Sequence, residues 1–102
     1  MKTIKIKDFN KMLGGFVSVE NAPSRNGYNT APNQFIITFE NGRVLQSYKS
    51  LVAAKVNGER FVTTSHDYSA TTSRFVKDFL GMNKAERVKA LEREELTMID
   101  DD

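Results

Sequence analysis

Cysteine is absent from the chain, histidine occurs once and proline twice in 102 residues. Without cysteine there are no disulfides, no thiolate metal sites and no cysteine nucleophile, and the composition fits a reducing compartment. The lone histidine, His66, cannot build a histidine-based metal site unless several carboxylates or a second chain contribute ligands. No apolar run approaches the roughly 18–20 residues that span a bilayer. The lysine-bearing start, Met1 to Lys7, has no continuous apolar stretch behind it and does not read as a secretory signal. A phosphate loop is also missing: Gly14-Gly15 has neither the spacing, the following helix nor the Lys-Ser/Thr pair that such a loop needs. These absences predict a cytoplasmic protein with no cofactor, no bound metal and no membrane partner.

A chain of 102 residues has room for one domain and can bury about two-thirds of its unfolded surface. The net charge of +2 conceals a division. Residues 1–90 carry 14 Lys and Arg against seven acids, and residues 91–102 carry one Arg against six. The expected organisation is a single domain over residues 1–95 and a solvated acidic tail over 96–102.

Along the chain, Thr3 to Phe9 alternates Ile4 and Ile6 with Lys5 and Lys7, the period of a strand with one wet face. Its lysines suit a sheet edge. Gly14-Gly15 breaks the chain before a short strand from Phe16 to Glu20. Asn21 to Asn33 holds both prolines, a glycine and four asparagines, which predicts a long irregular loop with Arg25 and Tyr28 at its centre.

Two Asn-Gly pairs mark hairpins. A type I′ loop at Asn41-Gly42 would set Glu40 opposite Arg43, Phe39 opposite Val44, Ile37 opposite Gln46 and Phe35 opposite Tyr48, with the apolar members on the core face. The same loop at Asn57-Gly58 would oppose Lys55 and Arg60, a destabilising like-charge pair. A three-residue loop with a glycine bulge avoids that opposition and is the expected geometry; the alternative is a two-cation patch.

Beyond Ser65 the period lengthens. Phe75, Val76, Phe79 and Leu80 lie on one helical face, with Asp67 or Ser69 as cap and Gly81 as stop. Asn83 and Glu86 form a capping-box pattern that opens a second helix running to about Glu95, and Leu96 to Ile99 can add a short strand. Strands first and helices after predict an α+β domain: an antiparallel sheet of hairpins with two C-terminal helices packed on one face.

No set of residues reads as catalytic. Ser65-His66-Asp67 has triad residue types, but neighbours in sequence diverge and cannot orient one another. The acids outside the tail each have a structural place beside a turn, at a helix start or on a wet face. The chain is therefore expected not to be an enzyme. Basic residues on the hairpins and first helix, with Tyr48 and Tyr68 nearby, suit a single-stranded nucleic acid, although the glycine-bracketed aromatic signature of an RNA recognition motif is missing.

The strings Asn-Ala-Pro-Ser-Arg-Asn-Gly (21–27), Pro-Asn-Gln-Phe (32–35), Asn-Gly-Arg-Val-Leu-Gln-Ser-Tyr-Lys-Ser-Leu-Val-Ala (41–53) and Asp-Tyr-Ser-Ala-Thr-Thr-Ser-Arg-Phe (67–75), followed by Phe-Leu-Gly (79–81), resemble a family of small phage and mobile-element proteins. An aromatic, often Trp, precedes the Asp-Tyr-Ser string in that family, where this chain has His66. The resemblance implies an accessory protein acting inside a bacterial host cell and brings no activity with it. By analogy of class, the leading expectation is a non-enzymatic protein that binds a host or anti-phage defence protein; the alternative is a nucleic-acid-binding accessory protein using a basic hairpin surface. A homo-oligomer fits either. The candidate partner-binding residues are Arg25, Tyr28, Arg43, Lys49, Lys55, Arg60, His66, Tyr68 and Arg74.

Overall fold

The chain runs as β1 (Thr3–Lys5), α1 (Ile6–Leu13), β2 (Phe16–Pro23), β3 (Thr30–Phe39), β4 (Gly42–Ser47), β5 (Ser50–Val56), β6 (Glu59–Val62), α2 (Ala70–Leu80), α3 (Lys84–Glu92) and β7 (Thr97–Asp100) in a computed structural model that describes residues 1–23, 30–63 and 68–100. The strands make one sheet in the order β1-β7-β6-β5-β4-β3-β2. The α+β class and the two C-terminal helices agree with the sequence. The sheet is mixed, because β7 pairs parallel with both β6 and β1. A parallel pair needs a long crossover, and α2 and α3 supply it between β6 and β7.

The N-terminal alternation ends earlier than expected. After β1 the apolar residues Ile6, Phe9 and Leu13 fall at helical spacing, Asp8 sits in the first turn, and Gly14 closes the helix at φ 75°. Helix α1 covers one face of the sheet, with Phe9 and Leu13 buried against Val44, Ala54, Val56, Phe61 and Ile99. Phe9 meets Phe61 edge-on at 5.1 Å between ring centroids. On the opposite face α2 and α3 bury Val76, Phe79, Leu80 and Leu91 against Leu45, Ala53 and Val62. Fully burying one such side chain is worth about 1.5–3 kcal/mol. The middle strand answers both layers with small residues, Ala53 toward one core and Ala54 toward the other, each fully buried.

The C-terminal segment corrects the expected domain boundary. Leu96 is wholly buried, Ile99 nearly so, and Thr97–Asp100 is a strand with a neighbour on each side. The short strand expected over Leu96 to Ile99 is therefore present as β7, from Thr97, and is an interior strand of the sheet instead of part of a solvated tail. The expected long loop is also shorter: β2 continues to Pro23 and β3 begins at Thr30. Both prolines sit where no ladder donor is required. Pro23 ends an edge strand, and Pro32 lies beyond the last pairing of β3 with β4, Gln34 with Ser47.

Helix ends behave as the sequence predicts. The Ser69 hydroxyl accepts from Thr72 N at 3.2 Å, and Gly81 caps α2 in the left-handed region. Asn83 and Glu86 exchange both capping-box bonds, at 3.0 and 2.9 Å.

The two Asn-Gly hairpins exchange the expected roles. At the second, Asn57 (φ 52°) and Gly58 (φ 80°) adopt the paired positive φ of a type I′ turn, and Val56 pairs with Glu59 and Lys55 with Arg60. There is no bulge at this turn. At the first, the loop residues are Glu40 and Asn41, so that Phe39 pairs with Gly42, Thr38 with Arg43, Ile37 with Val44 and Phe35 with Gln46. The expected Glu40–Arg43 pair does not form. The turn is instead tied to the end of α1: Asn41 Nδ2 donates to Met12 O (2.9 Å), Asn41 N to Leu13 O (3.0 Å), Glu40 N to Gly15 O (2.9 Å), and Glu40 Oε1 accepts from Gly15 N (2.7 Å). Four anchors outweigh an intrinsic turn preference. Gly42 is needed for closeness, since a Cβ there would stand 2.7 Å from Val56 Cα and nearer still to the Lys55 carbonyl oxygen.

Candidate functional site

The register of three adjacent strands decides where the candidate cations go. Arg43 on β4 pairs with Lys55 on β5, and Lys55 pairs with Arg60 on β6. Three cationic side chains therefore stand abreast. Among the described residues no carboxylate lies within salt-bridge distance of any of them; the ion pair found is Lys2 with Glu59, at 3.6 Å on the surface. Like charges placed directly opposite destabilise a sheet. Burial, then Arg43 and then Arg60, hold the Lys55 ammonium below its ordinary pKa. The Lys55 ammonium rests 4.9 Å from the Phe79 ring centroid, and the Arg60 guanidinium reaches the Leu80 carbonyl at 3.5 Å.

The row faces α2, and between α2 and the outer half of the sheet lies a cavity of about 250 Å³. Arg43 and Lys55 line it together with Ile36, Leu45, Phe75 and Phe79; Asp78 is the one acid among the described wall residues, and Ala22 and Pro23 close the β2 side. Phe75 and Asp78 also line a neighbouring hollow with Arg74 and Lys77, so the basic face of α2 adjoins the cavity.

The remaining candidates separate. Tyr68 is a structural residue: its hydroxyl donates to Val52 O at 2.7 Å and accepts from Thr63 N at 3.2 Å. Its ring also lies under the Arg87 guanidinium, 5.8 Å away. Lys49 stands exposed in the β4–β5 turn beside Tyr48, which takes φ 55° and is exposed. Arg25, Tyr28 and His66 lie outside the described residues. Gln46 Nε2 donates locally to Tyr48 O at 2.7 Å.

Sequence reasoning missed two features. One is a buried polar chain: Gln34 Nε2 donates to Ser47 Oγ (2.9 Å), which meets Thr72 Oγ1 (3.0 Å), while Gln34 Oε1 has no partner among the described residues. Two hydroxyl residues near a helix cap gave a partial signal for it. The other is the outer edge of the sheet. β1, one edge, is three residues long, contains Lys5 and follows Lys2. β2, the opposite edge, is eight residues long and carries a single charge, Glu20. Phe16, Val17 and Val19 on β2 are 62, 58 and 54 % exposed, and neither core cluster contains a β2 residue. Register shifts around Val17 and before Pro23 interrupt its two ends, and Ser18 to Asn21 between them pairs with β3 in regular register.

A family model described as "Family of unknown function (DUF8033)" matches residues 17–97. The chain belongs to the DUF8033 family. The matched span runs from Val17 in β2 to Thr97 in β7, so the cation row, both cavity walls and most of the β2 edge are parts of the DUF8033 domain, while β1 and α1 precede it. No curated protein and no solved structure matches the chain. Among the described residues no group of three or more His, Asp and Glu side chains is placed to hold a metal, and no helix is long and apolar enough to cross a membrane.

Proposed function

We propose that this DUF8033 domain is a non-enzymatic binding protein that engages a protein partner along β2. The observation that carries this reading is the contrast between the two sheet edges. An edge strand presents unpaired N–H and C=O groups and is normally blunted by shortness, lysines or bulges. β1 has the first two protections; β2 has bulges at its ends and three large apolar side chains exposed between and beside them. A partner strand added at Ser18 to Glu20 would gain main-chain hydrogen bonds there and cover the exposed valines, the mode known as strand addition. Apolar surface concentrated in this way is typical of protein interfaces.

A nucleic acid is favoured less by the geometry. Arg43 and Lys55 are exposed but border an apolar hollow beside α2, α1 covers the other face, and Tyr68 is committed to Val52 and Thr63 and is not free to stack on a base. The resemblance to phage and mobile-element proteins supports a bacterial host or defence protein as the partner. The test is affinity capture from a bacterial host with the wild-type chain and a Val17→Lys/Val19→Lys variant. The reading expects a partner that the wild type retains and the variant loses. Equal recovery by both, or none above background by the wild type, would count against it.

A further inference from the structure

The cation row has no use in the β2 reading, yet the fold keeps it at a cost. Arg43, Lys55 and Arg60 repel one another across two strand pairings, and no described carboxylate relieves them. Two of the three are turned to one half-open hollow. Arg43 and Lys55 line the cavity of about 250 Å³, whereas Arg60 is drawn aside to the Leu80 carbonyl. The rest of the lining that matters is hydrocarbon: Ile36 and Leu45 from the sheet, Phe75 and Phe79 from α2. A guanidinium and an ammonium at one side of an apolar hollow ask for a ligand with an anionic head and an apolar body.

Asp78 sharpens the choice. Its carboxylate is the one acid among the described wall residues and would repel a second or third negative charge brought into the same space. On that ground a monoanion satisfies the site better than a phosphate dianion, and Arg43 can take both oxygens of a planar carboxylate side by side while Lys55 adds a point charge. The volume sits just below the usual range of drug-sized pockets, so the body is about as large as one bulky side chain.

We propose that the cavity between α2 and the β3–β5 surface binds an organic carboxylate with a single apolar side group, its head on Arg43 and Lys55 and its body among Ile36, Leu45, Phe75 and Phe79. Two sources share that chemistry: a free small carboxylic acid, and the C-terminal carboxylate of a polypeptide ending in a bulky apolar residue. Burial and the two neighbouring guanidinium groups lower the Lys55 pKa, and a bound carboxylate would reverse that shift.

The test is a titration of the isotopically labelled chain followed by amide NMR, with four probes: 3-phenylpropionate, a short peptide ending in Phe with a free carboxylate, the same peptide amidated, and inorganic phosphate. Saturable shifts at Arg43, Lys55, Phe75 and Phe79 are expected with one or both free carboxylates, and the amidated peptide and phosphate should bind at least about ten-fold more weakly. Tighter binding by the peptide would identify a polypeptide end as the source, and tighter binding by phenylpropionate a free acid. Lys55→Gln should weaken the carboxylate roughly ten- to hundred-fold, and Asp78→Asn should narrow the discrimination against phosphate. Both substitutions are on exposed side chains and leave the core intact. The proposal fails if no probe gives saturable shifts at these residues up to about 10 mM, if amidation makes no difference, or if phosphate binds as well as the carboxylates.

Discussion

Replacing Gly42 by alanine gives the sharpest test of how the two hairpins differ. The residue is not in the left-handed region, so the substitution costs nothing in backbone conformation. Its cost is steric: the added Cβ would stand 2.7 Å from Val56 Cα and closer to the Lys55 carbonyl oxygen, both backbone atoms of the paired strand. Relief requires β4 and β5 to part at the Gly42–Val56 and Arg43–Lys55 pairings. Overpacking of this kind costs about 1–3 kcal/mol, and a weakened ladder bond adds about 1 kcal/mol, so a loss of about 3 kcal/mol is expected. Gly58 is the opposite case, with nothing within 4 Å of an added Cβ but φ at +80°. Alanine there should cost about 1–2 kcal/mol, through conformation alone. Asparagine tolerates the left-handed region, so Gly58→Asn should be milder than Gly58→Ala, whereas Gly42→Asn should be no milder than Gly42→Ala. Urea unfolding of the four variants measures this through the midpoints at constant slope. Rescue by asparagine at both positions, or a smaller loss at 42 than at 58, would refute the assignment of Gly42 to close approach and Gly58 to turn geometry.

Tyr68→Phe removes a hydroxyl that serves both the Val52 carbonyl and the Thr63 amide, and about 1–2 kcal/mol should be lost by the same unfolding measurement. Lys55 sets a pH dependence. Its native pKa lies below the ordinary 10.5, so the unfolded chain holds that proton more tightly. Stability should therefore rise with pH between the lowered value and the ordinary one, with the cost fully present at neutral pH. Lys55→Met should remove that alkaline rise, seen as a difference between variant and wild type that shrinks from pH 7 to pH 11; a difference independent of pH would refute it.

Local signals were the legible ones. The caps of α2 and α3 are made by residues within three or four positions of each other, and Ser69, Gly81, Asn83 and Glu86 all act as their sequence context implies. Register at the first hairpin was not legible, because Glu40 and Asn41 are recruited by Met12, Leu13 and Gly15, more than twenty residues away in the chain. At the N-terminus Ile4 and Ile6 fit a period of two, while Ile6, Phe9 and Leu13 fit a helix; the shared residue hides the boundary. A short strand over Leu96 to Ile99 was legible, but the acidic composition around it concealed that Leu96 and Ile99 are among the most buried side chains. The cations of the row were each legible as basic residues of the hairpins, but their union depends on a two-residue loop at Asn57-Gly58 that the like-charge rule argued against. The β2 edge was invisible for a different reason: Phe-Val-Ser-Val reads the same in a central strand as at an edge, and only topology separates them.

The account rests most heavily on β2 as the surface that meets a protein partner. A photoreactive phenylalanine analogue placed at Val19, and in a second variant at the exposed α3 residue Val88, tests it directly in bacterial cells. The account predicts a discrete cross-linked protein adduct from position 19 and none from position 88. Adducts of equal yield from both positions, or from 88 alone, would contradict it.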